Sequence, residues 1–476
     1  MTNLRQNKGF ALVFSLIFIF LIINFIAIYI LSIANGSLVA NRTVNGIQAY
    51  YVADAGLVDA YERITQAGIN TVPTTPSGKF YINNASYPIG TAIGNYSVAI
   101  NNSNQSPVTY TITSTGTYNG VSITLQLKMT GASISKYAYW SNSEKNPEYG
   151  QLNWWKTTTT GPVQTNGTLY IAGDPIFIGP VSQSGPSIHY DNPVTDKNDP
   201  NLSNPNIIFP DGLTVNAPAV DIPPQATLGA IFQTANSLSG GVPQGLVLTG
   251  PSTIIFNPDG TLNVTGTVKD SQGNVTTAYN NSTIAAPANK VIYVQSNCKI
   301  TNNCPPFSSP AGVPGPPPSS GLPYGPQDGD VKVQGTVNGQ LTVAADDNIY
   351  LSGSIAYNQD PRTPGNANST DMLGLVSEND ITVITASVPK DLEISAVLVS
   401  LQGSFRPDAY ISGPEPSHKM DIFGSMINFY GAPIQSVWNR TQSYDTRLAT
   451  MAPPGFPPYV NNLQHGVYSK ISIQEL

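Results

Sequence analysis

Apolar positions follow two regimes along this chain. From Phe10 to Leu31 they are continuous, broken only by Ser15 and Asn24, both of which can hydrogen-bond without ionising. At ~1.5 Å rise per residue a helix over this run spans ~33 Å, about one bilayer core. Arg5 and Lys8 precede it and no positive charge follows until Arg42, so the positive-inside rule leaves the short N-terminus cytoplasmic and the remaining chain outside. The run exceeds the ~7 to 15 apolar residues of a secretory signal peptide. No proline occurs before Pro73, so the pattern predicts one helix from Phe10 to about Gly68. Past Ala40, Val44, Ile47, Tyr51, Ala55, Val58 and Tyr61 recur every three or four residues, a stripe expected to pack on the following domain or on neighbouring stems. Gly36, Gly46 and Gly56 each weaken the helix by ~1 kcal/mol relative to alanine.

Beyond the helix the period changes to two. Residues 95–100, 108–116 and 121–129 alternate apolar with Thr or Ser, and Tyr118-Asn119-Gly120 is a turn signal. They predict a small antiparallel sheet that closes near Gly131. Short apolar triplets broken by Asn-Gly and Gly-x-Pro follow from Gly161 to Val181, then a loop-rich stretch from His189 to about Pro224. Strands are expected at 245–249, 253–256, 261–268 and 290–294. Pro305 to Pro326 is too rich in proline for helix or sheet and reads as a linker or long loop. In the last third, β runs at 331–333, 336–337, 340–343, 348–351, 354–355, 373–376, 380–383, 394–401 and 421–427 are separated mostly by Gly, Asn or Asp. Stacked parallel rungs tolerate outloops such as Tyr357 to Asp371, which favours a β-solenoid, with a distorted β-sandwich as the alternative. The fold class is therefore α+β: a long helix (10–68), a small sheet domain (69–131), a β-rich domain (132–304), the proline-rich segment (305–326) and a capped solenoid-like domain (327–476).

Composition narrows the function. Charged residues are 10% of the chain against a usual ~25%, with 42 Gly and 40 Pro, a composition of many short strands and turns. A hydrophobic content of 40% with 24 Tyr is enough for a core and argues against a disordered stalk. A net charge of −7 offers no footprint for a nucleic-acid backbone. The two cysteines, Cys298 and Cys304, lie six apart and outside the cytoplasm are expected to form a disulfide, with a reduced pair as the alternative. No His or further Cys adjoins them, so no metal site is expected there.

Motifs for catalysis are missing. His189, His418 and His465 are widely separated, and G-x-S-x-G, H-E-x-x-H and G-x-x-x-x-G-K are all absent. Asp346, Asp347, Asp380 and Asp421 sit beside strand starts, where paired carboxylates would serve a polysaccharide-cleaving solenoid, although turn-forming aspartate is the commoner role. Asp191 to Asp199 is acidic but lacks the D-x-[DN]-x-[DN]-G spacing of a calcium loop. Trp154, Trp155 and Trp438 are candidates for stacking on sugars or for filling a core. The expectation is a non-enzyme with no cofactor and no metal.

Two blocks carry a family resemblance. Lys8-Gly9-Phe10-Ala11-Leu12 opening the apolar run, and Ala49-Tyr50-Tyr51-Val52-Ala53-Asp54-Ala55-Gly56-Leu57, together resemble the type IV pilin class, specifically minor pilins with a PilX-type N-terminal domain. Asp54 stands where that family more often has Glu. The resemblance implies a leader (1–9) removed after Gly9 by a prepilin peptidase and methylation of Phe10. The fifth mature position, a glutamate in most major pilins, is Phe14 here, which points to a rare or tip-located subunit. The segment Gly161 to Val181 resembles a "G-P-V-H-T-N-G" pattern of large bacterial proteins with pilin-like N-termini, with Gln164 in place of His. The end from Tyr444 to Pro458 resembles their "Y-D-x-R-L…P-P-x-F-P" close, expected to cap the solenoid.

These readings imply a minor pilin held in the inner membrane and then built into a pilus through its helix, with other pilins as partners. Its β domain would display an adhesive or polysaccharide-binding surface outside the cell. The alternatives are a pseudopilin of a type II secretion system and a membrane-anchored polysaccharide-binding or polysaccharide-degrading protein.

Overall fold

The structure is a computed structural model that describes residues 7–66, 79–89, 92–102, 109–130, 132–147, 150–155, 157–173, 175–190, 208–220, 222–223, 226–301, 329–409, 418–436, 438–456 and 458–459. The proline-rich segment, Asp191 to Asp199, Cys304 and His465 lie outside the described residues. The chain divides into two compact units and passes from the first to the second at Met129–Thr130.

The first unit holds helix α1 (Asn7–Gln66) and the strands β1 (Lys79–Ile89), β2 (Ala92–Asn102), β3 (Thr109–Tyr118) and β4 (Val121–Thr130). The strands form an antiparallel sheet in sequence order. Asn119 and Gly120, both at positive φ, make the β3–β4 turn that the Asn-Gly pair predicts. β1 was not foreseen: Pro88 and the Asn83-Asn84 pair mask it, and proline is tolerated because β1 is an edge strand with a register shift between Ile82 and Ala85.

The helix face that packs on this sheet is not the expected stripe. Ala49, Val52, Ala53, Leu57 and Ala60 are buried against Tyr96, Val98, Ile100, Ile112 and Leu125, whereas Val44, Ile47, Tyr51 and Val58 are exposed. The reason is steric. Small residues let helix and sheet backbones approach, so that a Cβ on Gly116 would lie 2.2 Å from the Ala53 backbone nitrogen and one on Gly56 2.3 Å from Ser114 Oγ. The Ala49–Leu57 block therefore supplies the small face that closes this unit, and Tyr96 adds a hydrogen bond from its hydroxyl to Asp59 Oδ2 at 2.9 Å.

The second unit contains short strands in three groups. The first group is β5 (Tyr139–Ser143), β6 (Thr158–Thr160), β7 (Val163–Thr165), β8 (Ile176–Ile178), β9 (Val181–Gln183) and β10 (Leu213–Thr214). After helix α2 (Ala226–Ala235) come β11 (Leu246–Phe256), β12 (Thr261–Lys269), β13 (Val275–Ala285) and β14 (Val291–Gln295), then helix α3 (Asn297–Thr301). The last group is β15 (Val331–Val337), β16 (Gln340–Ala345), β17 (Ile349–Tyr357), β18 (Met372–Ser377), β19 (Ile381–Val383), β20 (Asp391–Ser400), β21 (Phe405–Pro407), β22 (Lys419–Tyr430) and β23 (Asn439–Tyr444).

Nearly all of these pair in parallel, in three ladders. One runs β10–β9–β7–β5–β22–β20–β18–β16–β14–β11. A second joins the end of β11 to β15, β17, β19 and β21. The third joins β15, β17, β20, β22, β23, β6 and β8. Long strands belong to two ladders at once, so the pairings β11–β14–β16–β18–β20–β17–β15–β11 close on themselves and the unit includes a closed parallel barrel. An antiparallel hairpin of β12 and β13 is added to β11.

The separate β domains expected at 132–304 and 327–476 are one unit. β5 lies between β22 and β7 in register, Trp140 facing Ile427 on one side and Gln164 on the other, so the first strands of the unit stack on the last. The core is an apolar column of Val, Ile and Leu from all three ladders, including Val333, Leu351, Leu375, Leu398 and Ile422. A second cluster around Trp140, Val376 and Phe456 includes Leu228 and Ile231 of α2. The Tyr444–Pro458 close binds this cluster. Asp445 caps a turn of 3-10 helix at Thr446–Ala449, and Arg447 donates to Asp445, to Ser369 O at 2.7 Å and to Asp371 O at 2.9 Å.

Candidate functional site

Two regions hold what the sequence singled out, one in each unit. In the first, α1 is the one helix among the described residues long and apolar enough to cross a membrane. From Leu12 to Leu38 its large apolar side chains are exposed within the unit. Asn24, the polar break, donates its Nδ2 to Phe20 O at 2.8 Å, which lowers its cost in an apolar medium. Gly9 and Phe10 lie in the first turns of α1, so the block proposed for processing is continuous with the apolar helix. This arrangement is compatible with membrane anchoring and presents an apolar surface that only lipid or another protein can cover.

The second region is an acidic corner beside the core. Four strand starts repeat a polar residue followed by apolar, polar, apolar: Asp330, Asn348, Asp380 and Ser404 precede Val331, Ile349, Ile381 and Phe405. Asp330 Oδ1 accepts from Asn348 N at 3.0 Å, Asn348 Oδ1 from Asp380 N at 3.1 Å, and Asp380 Oδ1 from Ser404 N at 2.8 Å. Each side chain thus satisfies the backbone amide of the residue that precedes the next strand of the ladder.

Asp346, Asp347 and Glu378 join this corner. Asp346 accepts from Tyr293, from Ser296 N at 2.9 Å and from Lys299 Nζ at 2.6 Å, and Lys299 also reaches Glu378 at 3.4 Å. Asp347 accepts from Asn379 Nδ2 at 2.8 Å. Burial, with the like charges of Asp330, Glu378 and Asp346, pushes Asp347 up to about 7. Burial and the same negative surroundings raise the Tyr293 and Tyr350 hydroxyls. Arg406 pairs with Asp380 at 3.4 Å.

Of the four aspartates read from sequence, the structure brings Asp346, Asp347 and Asp380 together and leaves Asp421 elsewhere. Asp421 pairs with Arg362 at 2.6 Å, and Arg362 also holds Glu393 at 3.0 Å and covers the Phe423 ring. Asp330, Glu378, Asn348 and Lys299 were missed. The signal for Asp330 and Asn348 was the polar residue before each strand, obscured by irregular spacings of 18, 32 and 24 residues.

Other candidates are structural. Trp154 is buried between Tyr139 and Phe177, with ring centroids at 4.8 and 4.9 Å, and Trp438 is buried as well, which leaves Trp155 half-buried. His189 packs on Tyr170, and Gln164 is buried with its amide donating to Thr165 O at 3.2 Å. Cys298 lies in α3 and is disulfide-bonded. Among the described residues no group of three or more His, Cys, Asp or Glu is arranged to hold a metal ion.

No protein-family model matches the chain, and no curated protein matches it. Among solved structures it is similar to the competence-associated pilin ComZ from Thermus thermophilus, with 15% identity and a TM-score of 0.26 over 91% of this chain and 96% of that one.

Proposed function

We propose that this chain is a minor type IV pilin, a non-catalytic subunit made at the inner membrane and transferred into a pilus. The observation that carries the reading is α1, a 60-residue helix whose first half is apolar all round and exposed and whose second half closes a small sheet with Ala49, Ala53 and Gly56. Such a helix is stable in lipid, and equally stable in a bundle of similar helices, so assembly exchanges one apolar environment for another. Val44, Ile47, Tyr51 and Val58, turned away from the sheet, extend the apolar surface past the membrane half and suit contact with neighbouring stems. A prepilin peptidase would cut after Gly9 and leave Phe10 at the methylated N-terminus. Phe14 in place of an acidic residue, with the large second unit, supports a rare position at the tip.

We infer further that the three ladders are faces of a β-solenoid. Support comes from links of two or three residues between successive strands of different ladders, such as Asn338–Gly339 and Asp346–Asn348, too short to connect parallel neighbours within one ladder. Gly335 and Gly424, both at positive φ, sit where β15 and β22 pass from one ladder to the next. On this reading the unit is a rigid display body for an extracellular surface or polysaccharide. The acidic corner serves its turns: Asp330, Asp346 and Glu378 are buried, and Lys299 covers two of them. A pseudopilin of a secretion apparatus shares the stem and differs in the machine it joins.

The test is cross-linking in intact cells. With a photo-activatable benzophenone side chain in place of Ile47, sheared filaments should contain cross-linked species joining this chain to other pilins, while the same group at the sheet-facing Val52 should give none. Recovery of the protein only in the membrane fraction, with no cross-link from either position, would reject the reading.

A further inference from the structure

The interior of the second unit contains a charge that the display role does not use. Arg440, on β23, is 5% exposed, and its Nε has no protein hydrogen-bond partner. Its guanidinium lies over the Trp154 ring, 4.8 Å from the centroid. Burial lowers it to about 10, so it remains cationic at neutral pH. The carboxylate that acts on it is Glu144, which accepts from Ser141 Oγ and, at 3.2 Å, from Trp154 Nε1 but makes no hydrogen bond to Arg440. A buried cation without a hydrogen-bonded counter-charge is strongly unfavourable.

Two further buried polar atoms without protein partners lie on the neighbouring positions. Gln442, two residues along the same inward face of β23, has its Oε1 unsatisfied while its Nε2 is committed to Ala138 O at 2.5 Å, which fixes the amide orientation. Thr159 pairs with Gln442 in register across β6 and β23, is fully buried, and has an unsatisfied Oγ1. The set is thus one cationic donor, one hydroxyl and one acceptor, with the Trp154 ring against the guanidinium and Phe177 facing Thr159 in register. A halide satisfies the donors and repels the amide oxygen. A carboxylate does the same. A water or an oxyanion that keeps one hydrogen satisfies all three, and of these the oxyanion also brings a counter-charge to the cation.

We propose that Arg440, Gln442 and Thr159 form a buried site for a small hydrogen-bearing oxyanion, of the size and chemistry of bicarbonate. Two of its oxygens accept from Arg440 Nε and Thr159 Oγ1, and its hydroxyl donates to Gln442 Oε1. The ion completes the core where the first strands of the unit stack on the last, so binding stabilises that junction.

The test uses the full-length protein in detergent, unfolded by heat and followed by tryptophan fluorescence at pH 8. Sodium bicarbonate, formate and chloride are compared at equal sodium in carbonate-free buffer. Bicarbonate at a hundred times its dissociation constant should raise the midpoint by roughly 5 °C, with formate and chloride giving smaller shifts. Arg440→Gln should remove the difference among the salts. Gln442→Glu, which supplies a carboxylate beside Arg440 from the protein itself, should fold and become indifferent to bicarbonate, and it decides the matter if Arg440→Gln does not fold. Equal shifts with all three salts in the wild type, or a bicarbonate response retained in Gln442→Glu, would overturn the proposal.

Discussion

Replacing Asp347 by Asn should make the second unit more stable at neutral and alkaline pH. In the folded chain this carboxyl is pushed up to about 7 from an ordinary 3.8, first by burial and then by Asp330, Glu378 and Asp346. Because the folded value lies above the unfolded one, the folded state holds the proton more tightly, and stability falls as pH rises from about 4 to about 7 and then levels off. The full shift corresponds to about 4 kcal/mol, and partial solvent access reduces this to on the order of 2 kcal/mol. Asparagine keeps the acceptor that Asn348 and Asn379 use, at 3.0 and 2.8 Å, and removes the charge. All four tryptophans, Trp140, Trp154, Trp155 and Trp438, lie in the second unit, so denaturant unfolding followed by their fluorescence reports on it alone. The difference between variant and wild type, measured at pH 5, 6, 7 and 8, cancels titration elsewhere. It should be smallest at pH 5, already above zero there because the unfolded carboxyl is ionised, and grow to about 2 kcal/mol in favour of the variant by pH 8. A flat difference, or a variant less stable at pH 8, would refute the electrostatic reasoning.

Three other outcomes are expected. Gly116→Val should separate α1 from its sheet, since the added Cβ meets the Ala53 backbone, at a cost of about 3 kcal/mol visible as faster amide exchange in β2 and β3. Arg447→Ala leaves Asp445 buried without its partner and releases the carbonyls of Ser369 and Asp371; a loss of about 3 kcal/mol and new proteolysis between Tyr357 and Asp371 should follow. Leu21→Lys places a charge mid-way along the exposed apolar half of α1 and should disfavour insertion by about 3 kcal/mol, read as a smaller carbonate-resistant membrane fraction.

The sequence was most informative where one interaction dominates. A continuous apolar run has one stable backbone solution in lipid, so α1 was legible almost to its ends, and Asn119-Gly120 announced its turn. The packing face of α1 was not legible, because periodicity ranks residues by hydrophobicity whereas close approach selects small ones; Ala49, Ala53 and Gly56 were passed over for Val44, Ile47 and Tyr51. β13 escaped notice because both of its faces are largely exposed and its Thr and Asn residues show no apolar alternation. The union of the two β segments was hidden for a different reason. Pairing of β5 with β22 joins residues almost 300 positions apart, and nothing local in Tyr139–Ser143 identifies its partner. The acidic corner was half legible: the aspartates stood out at strand starts, but Lys299 and Glu378 reach them only through the stacking of strands.

The central claim is that the apolar helix is a processed stem that leaves lipid for a filament. Its most direct test is the mass of the N-terminal peptide from protein isolated from its own cells. The account predicts a chain that begins at Phe10 carrying one added methyl group. A peptide that retains Met1 through Gly9 would contradict it and leave a membrane-tethered β protein.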